Sequence, residues 1–231
     1  MKILCTICAR KGSKGLKNKN TKLLFGKPLI MHTLKIANQI KFFDKIVVSS
    51  DSENILKISK PSSDFVIKRP PRLSSDKISK LDAIKHALKI SEKKFNCQFQ
   101  IVVDLDVCSP LRNATDIQNA LKVFKSRNYS NVISVCKSDN NPYFNMVEID
   151  KKKGLKLIKN SKNKYFSRQQ SPLVYNVNAS IYIWKRKSLI KNKKVINYNT
   201  GIYIMPKKRS VDINDPFDFK IAELIKKNGH I

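Results

Sequence analysis

The sequence predicts an α/β fold in which a mainly parallel sheet is covered by helices on both faces, and three observations carry that expectation. Short β-branched apolar runs alternate with segments of helical apolar spacing along most of the chain. The first run, Ile3 to Ala9, passes directly into a glycine-containing basic loop, as happens where a strand opens onto a site at a sheet's carboxyl edge. A length of 231 residues with 41% hydrophobic side chains supplies one ample core, which fits a single domain with an excursion better than two independent domains.

Taken in order, Ile3 to Ala9 reads as a buried strand and Arg10 to Asn20 as a loop. Pro28 to Ile40 has helical spacing with proline in its first turn, and Lys45 to Ser50 is a β-branched strand ending at Asp51. Asp64 to Lys68 is a short strand, Ser79 to Ser91 a helix, Gln100 to Leu105 a strongly apolar strand and Thr115 to Ser126 a further helix. Val132 to Cys136 is the next strand, after which the chain turns irregular and lysine-rich through Asn163. Tyr175 to Trp184 and Gly201 to Met205 read as strands, and Pro216 to Lys227 as a closing helix with Phe217, Ile221, Leu224 and Ile225 as its apolar positions. A less regular excursion is expected at about residues 137–200 within the single 1–231 domain.

The formal net charge of +30 raises nucleic acid or an anionic membrane as partners. The excess is mostly lysine scattered from Lys2 to Lys227, with no cluster of Arg and aromatics to read bases, so no specific nucleic-acid partner and no membrane is expected. Five cysteines, an odd number lying mainly in apolar runs, read as buried free thiols of a reducing, cytoplasmic compartment. Cys5 and Cys8 imitate a metal-binding pair, but in a strand they face opposite sides of the sheet. The apolar stretch Ile3 to Ala9 is too short to span a membrane. His32, His86 and His230 have no partners at ligand spacing, and Trp184 reads as core.

Arg10-Lys11-Gly12-Ser13-Lys14-Gly15, followed by Lys17, Lys19 and Asn20, can wrap a triphosphate: glycine permits close backbone approach, N–H groups point at oxygens and the cations offset charge. The spacing is neither that of a P-loop nor that of a dinucleotide fingerprint. On its own it is also compatible with an exposed lysine-rich loop.

Ala9 to Gly15 with Lys19-Asn20 and Gly26-Lys27-Pro28-Leu29-Ile30 resembles the opening signature of the acylneuraminate cytidylyltransferases, or CMP-sialic acid synthetases. Further matches follow in that family's order: Arg69-Pro70 with Leu73 and Asp76, Ser109-Pro110-Leu111-Arg112, Arg168-Gln169-Gln170 with Tyr175 and Asn178, and Ser210-Val211-Asp212-Ile213. The resemblance implies a three-layer, Rossmann-like nucleotide-diphospho-sugar-transferase sandwich whose excursion is a dimerisation subdomain of a homodimer. It implies CTP as one substrate, an acidic nine-carbon sugar as the other, and Mg²⁺ as cofactor. Ala9, Arg10, Gly12, Ser13, Lys14, Gly15, Lys19 and Asn20 would then meet the phosphates and ribose, with Arg69, Ser79 and Lys80 near the cytosine. Asp106, Arg168, Gln169, Tyr175 and Asn178 would meet the sugar, an Arg suiting its carboxylate because a planar fork binds both oxygens. Arg10, Lys19, Asp106 and Asp212 would carry catalysis, and Asp106, Asp212 and Asn214 would hold the metal.

Three positions depart from the family pattern. Lys11 replaces a small or polar residue. Asn214 stands where a second aspartate is common, leaving a neutral ligand, with Asp215 next to it as an alternative. Asp106, in Asp104-Leu105-Asp106, replaces a frequent glutamine and resembles the enzymes that activate bacterial sialic-acid-like sugars such as legionaminic acid; read without the resemblance, it is a strand-end aspartate in a turn. The rival expectations are a cytidylyltransferase for the eight-carbon 3-deoxy-manno-octulosonate, against which Arg168-Gln169-Gln170 argues, and a basic nucleic-acid-binding module, supported only by the net charge.

Overall fold

The computed structural model describes residues 1–12, 15–75, 78–150, 154–160 and 165–227. Strand β1 (Ile3–Cys8) leads through the basic loop to a small hairpin, β2 (Leu23–Leu24) and β3 (Lys27–Pro28), and to helix α1 (Leu29–Asn38). Then come β4 (Lys45–Ser50), α2 (Glu53–Ser59), β5 (Phe65–Lys68), α3 (Lys80–Phe95), β6 (Ile101–Leu105), α4 (Ala114–Ser126) and β7 (Asn131–Lys137). A hairpin of β8 (Val147–Asp150) and β9 (Gly154–Leu157) precedes β10 (Tyr175–Lys185), α5 (Arg186–Lys191), β11 (Thr200–Ile204) and α6 (Pro216–Lys227).

The main sheet has the order β11-β7-β10-β6-β1-β4-β5. Pairs β1–β4, β1–β6, β4–β5 and β7–β11 are parallel, while β10 runs antiparallel to both β6 and β7. The expected mainly parallel sheet is therefore present, with one reversed strand inside it. β10 falls within the stretch read as an excursion; what leaves the sheet is the connection between β7 and β10, including the β8–β9 hairpin.

Period-two alternation sorts the side chains to two cores. Ile3, Cys5 and Ile7 of β1 and Ile101, Val103 and Leu105 of β6 join α1, α4 and α6 on one face. Leu4 and Val102 join α3 and Trp184 on the other. Cys5 and Cys8 accordingly lie on opposite faces, and Trp184 is core.

Capping fixes the helix starts that border the sheet's carboxyl edge. The Ser79 hydroxyl accepts from the Asp82 N–H at 3.2 Å and starts α3, while Asn113 and Asp116 form a reciprocal capping box on α4. Asp215 accepts from the Phe217 and Asp218 N–H groups at 2.8 and 2.9 Å and starts α6. No described helix is long and apolar enough to cross a membrane.

Candidate active site

Because β1, β4, β5 and β6 are parallel, their carboxyl ends open on one edge, where ligands of such sheets bind. A cavity of about 560 Å³ lies there. Arg10, Gly15, Lys19 and Asn20 reach it from the loop after β1, and Arg69 and Ser74 from the turn after β5. Ser79 and Lys80 reach it from the start of α3, Asp106 and Cys108 from the end of β6, and Asp212 and Asn214 from the segment before α6.

The loop wall is held by its own side chains and by the C-terminal segment. Asn20 is buried and donates from Nδ2 to the Arg10 carbonyl at 2.9 Å, folding the loop back on itself. Lys19 Nζ donates to the Ile213 carbonyl at 2.5 Å, tying the loop to a segment far along the chain. At Gly15 a Cβ would lie 2.2 Å from the Asn214 carbonyl oxygen, so only glycine lets the two segments touch. Ala9 continues the β1 ladder to the Ser49 carbonyl at 3.0 Å and is buried; Gly12 is exposed. Ser13 and Lys14, together with Asp76 of the second motif and His230, lie outside the described residues.

Arg69 is buried, with Nε donating to the Ser74 hydroxyl at 3.1 Å and a terminal nitrogen 3.8 Å from Asp51 Oδ1. Lys80, expected with Arg69 near the cytosine, lines the same cavity with its ammonium 2.5 Å from Asp106 Oδ2 and 3.0 Å from Asp104 Oδ2, over the Tyr182 ring at 4.5 Å. Asp104 is fully buried and accepts from the Thr6 hydroxyl at 2.7 Å across the β1–β6 pairing. Asp106 Oδ1 accepts from the Cys108 N–H at 2.8 Å. Burial alone would raise the Asp106 pKa, but the Lys80 cation and these hydrogen bonds bring it down to about 2. Burial likewise opposes charge on Lys80, and the two aspartates outweigh it, keeping the ammonium protonated well above its ordinary range.

Behind Asp106 stands Arg112, the last residue of the Ser109-Pro110-Leu111-Arg112 motif. It is fully buried, donating to the Ser180 carbonyl and hydroxyl at 2.7 and 3.0 Å, the Thr33 hydroxyl at 2.9 Å and the Asp106 carbonyl at 2.9 Å. It therefore fixes the main chain that presents Asp106, and burial pushes its guanidinium down to about 10.

Asp212 shares the cavity. Burial, then the nearby Asp106 charge, raises its pKa, with the Asn214 amide 3.3 Å from its Oδ2 offering partial relief. Its segment is pinned by the Ile213 N–H to the Cys108 carbonyl at 2.9 Å and by Arg209, bidentate on the buried Asp116 at 2.8 and 2.9 Å. Asp215, the alternative ligand, is exposed and occupied in capping α6. Among the described residues no cage of three or more His, Cys, Asp or Glu exists. A divalent cation on a nucleotide needs only one or two carboxylates, and the oxygen-only set Asp106, Asp212 and Asn214 at one cavity fits that.

Of the residues expected at the sugar, Asp106 lines the cavity and the other four do not. Arg168 and Gln169 are exposed and outside the cavity, Arg168 lying 3.7 Å from Asp139 Oδ1. Tyr175 pairs with Lys137 at the start of β10. Asn178 is buried: it accepts from the Ser134 hydroxyl at 2.6 Å and donates to the Ser210 hydroxyl at 2.9 Å, fastening β10 to the Asp212 segment. The next residue, Ala179, has a φ of 54° in the irregular stretch of β10 and reaches the cavity. Sequence reasoning gave no site role to Asp104, Thr6, Arg112 or Tyr182; Arg112 stands in a recognised motif and Asp104 in the Asp104-Leu105-Asp106 spacing, while Thr6 and Tyr182 carry no local signal.

The cytidylyltransferase family matches residues 4–226. The chain is 40% identical over 230 residues to post-translational flagellin modification protein B of Campylobacter coli, covering 99% of this chain and 97% of that protein. It is 39% identical to the CMP-N,N'-diacetyllegionaminic acid synthase of Campylobacter jejuni, covering 96% of this chain and 94% of that one. It is 35% identical to the N-acylneuraminate cytidylyltransferase of Escherichia coli, covering 98% of this chain and 53% of that longer protein. Among solved structures, CMP:2-keto-3-deoxy-manno-octonic acid synthetase complexed with CTP shares the fold, with a TM-score of 0.70 at 15% identity over 99% of this chain and 100% of that one. With an ordered set of motifs, a carboxyl-edge cavity and a match over nearly its whole length, the chain belongs to the cytidylyltransferase family and is a nucleotidyltransferase of the acylneuraminate type.

Proposed function

We propose that this enzyme transfers CMP from CTP to the anomeric hydroxyl of a nonulosonic, sialic-acid-like sugar and releases pyrophosphate. The observation that carries the reading is one cavity with a cationic, glycine-bearing loop on one wall and the carboxylates Asp106 and Asp212 on another, in a chain 39% identical to a CMP-N,N'-diacetyllegionaminic acid synthase. Asp106 at the position often held by glutamine favours a legionaminic-type acid over ordinary sialic acid.

Arg10 and Lys19 take the triphosphate, with Asn20 holding the loop that presents them. Arg69, fixed by Ser74, faces the base. The anomeric oxygen attacks the α-phosphorus and the bond to pyrophosphate breaks, so catalysis is chiefly positioning and charge neutralisation in a partly enclosed site. Mg²⁺, when bound, supplies a further positive charge to the phosphates. Asp106 and Asp212 would hold it, with Asn214 as a neutral ligand.

The chain between β7 and β10 exposes Ile149, Phe166 and Leu173 at 83%, 81% and 71%, a surface that suits a homodimer contact. A partner placed there would bring Arg168 and Gln169 toward a sugar. The described cysteines are all free, which suits the reducing cytoplasm in which CTP is made.

The test is incubation of CTP with a panel of nonulosonic acids and 3-deoxy-manno-octulosonate, following pyrophosphate. Release with a legionaminic-type acid and none with the eight-carbon acid is expected; the reverse pattern would replace this reading with the octulosonate one. Sedimentation at micromolar concentration tests the dimer.

A further inference from the structure

Each oxygen of Asp106 already has one donor from the protein. Oδ1 accepts from the Cys108 N–H at 2.8 Å, and Oδ2 is met by the Lys80 ammonium at 2.5 Å. The ammonium therefore places a positive charge at Oδ2, where it opposes the approach of a divalent cation. It also has somewhere else to go. Asp104 Oδ2 lies 3.0 Å away, is buried, and accepts no directed hydrogen bond, while the face of Tyr182 lies 4.5 Å off. Lys80 is the first residue of α3, anchored at its Cα by the Ser79 cap, and its side chain is 27% exposed on a flexible stem that borders the cavity.

We propose that Lys80 is an internal counter-ion that occupies Asp106 in the empty enzyme and is released toward Asp104 and the incoming phosphates, freeing Asp106 for the metal only when the nucleotide is in place. The inference rests on the reading of Asp106 as a metal ligand. Without Lys80, the buried Asp104 and the partly exposed Asp106 would lie beside Asp212 with no cation between them and would attract a divalent cation before any nucleotide arrived. With Lys80 present, the cation and the CTP phosphates enter together. Because a single ammonium spans two carboxylates, the exchange needs only a small swing of one side chain and leaves Asp104 paired throughout.

The experiment is Mn²⁺ binding measured by electron paramagnetic resonance without nucleotide, on wild type and on Lys80→Gln, which removes the charge and keeps a polar side chain. Lys80→Gln is expected to bind Mn²⁺ at least tenfold more tightly than wild type, and Lys80→Gln combined with Asp106→Asn to lose that gain. Equal or weaker binding by Lys80→Gln would overturn the proposal, as would a gain that survives in the double variant. If Lys80→Gln does not fold, Lys80→Met serves the same comparison. No sugar or CTP is present, so failure here is separate from failure of cytidylyl transfer, which pyrophosphate release by the wild type reports.

Discussion

Two clusters of carboxylates, each built around a fully buried aspartate, border the sheet's carboxyl edge, and they are satisfied to different degrees. Asp116 accepts from Arg209 twice, from the Tyr203 hydroxyl at 3.0 Å and from the Asn113 N–H at 3.0 Å, so each oxygen has two donors and nothing is left over. Among the described residues, Asp104 and Asp106 share a single ammonium beside one neutral donor each, and the Asp212 carboxylate has a 3.3 Å amide contact. Scaffold carboxylates are closed with fitted donors because an unpaired buried charge is costly. A site keeps some of that cost in place, since a phosphate or a cation has to complete it. Arg209 joins the two regions: the closed cluster holds the segment that carries Asp212 into the open one.

The comparison is broken most directly at the open cluster. Asp106→Asn is expected to lower saturated turnover on the order of a hundredfold and to raise the Mg²⁺ needed for half-maximal rate, with circular dichroism unchanged. Unchanged Mg²⁺ dependence would return Asp106 to the role of a turn residue. Arg10→Ala and Lys19→Ala should each cost at least tenfold in kcat/KM, since a charged hydrogen bond to phosphate contributes about 1.5–3 kcal/mol. CTP kinetics indistinguishable from wild type in both would remove the phosphate role of the loop.

At the closed cluster, Arg209→Met should reverse the pattern, lowering stability to urea by about 2 kcal/mol through loss of two charge-assisted hydrogen bonds while reducing turnover only a few-fold. If turnover fell as far as in Asp106→Asn, Arg209 would belong to the site.

The smallest effects lie in the pH dependence and carry opposite signs. The folded Asp106 pKa of about 2 lies below its ordinary 3.8, so this group contributes stability that is present above that value and lost as pH falls toward 2. Asp106→Asn should flatten the loss of urea stability across that window. Asp212 is shifted upward, so its ionisation costs stability at neutral pH. Asp212→Asn should therefore raise the thermal midpoint at pH 7 slightly while lowering turnover. A lowered midpoint would show that Asp212 is structurally compensated.

Much of the scaffold was legible because periodicity is a local signal. The alternation in Ile3–Cys8 and Ile101–Leu105, and the apolar stripe of α3, each declare an element and its buried face without reference to the rest of the chain. The reading failed where that signal was short or divided. The seven residues of α2 offer only two buried apolar positions, Ile55 and Leu56. α5 buries Leu189 alone. The β8–β9 hairpin leaves Val147, Ile149 and Leu155 exposed, so no core face marks it.

At the site, residue chemistry pointed to the donor-rich loop, while the order of the motifs pointed to the family and, through it, to Asp106 and Asp212. Asn178 shows where that stops: its type and motif pointed to the sugar, whereas its amide is consumed between Ser134 and Ser210. The sequence by itself determined the element types, the cationic loop and the supply of carboxylates, because these depend on neighbours within a few positions. Tertiary structure alone decided the pairings: Lys80 with Asp106 across 26 positions, Arg112 with Ser180 across 68 and Arg209 with Asp116 across 93. Such contacts follow from strand order and helix placement, which bring distant side chains within bonding distance, and no local period specifies which cation meets which anion.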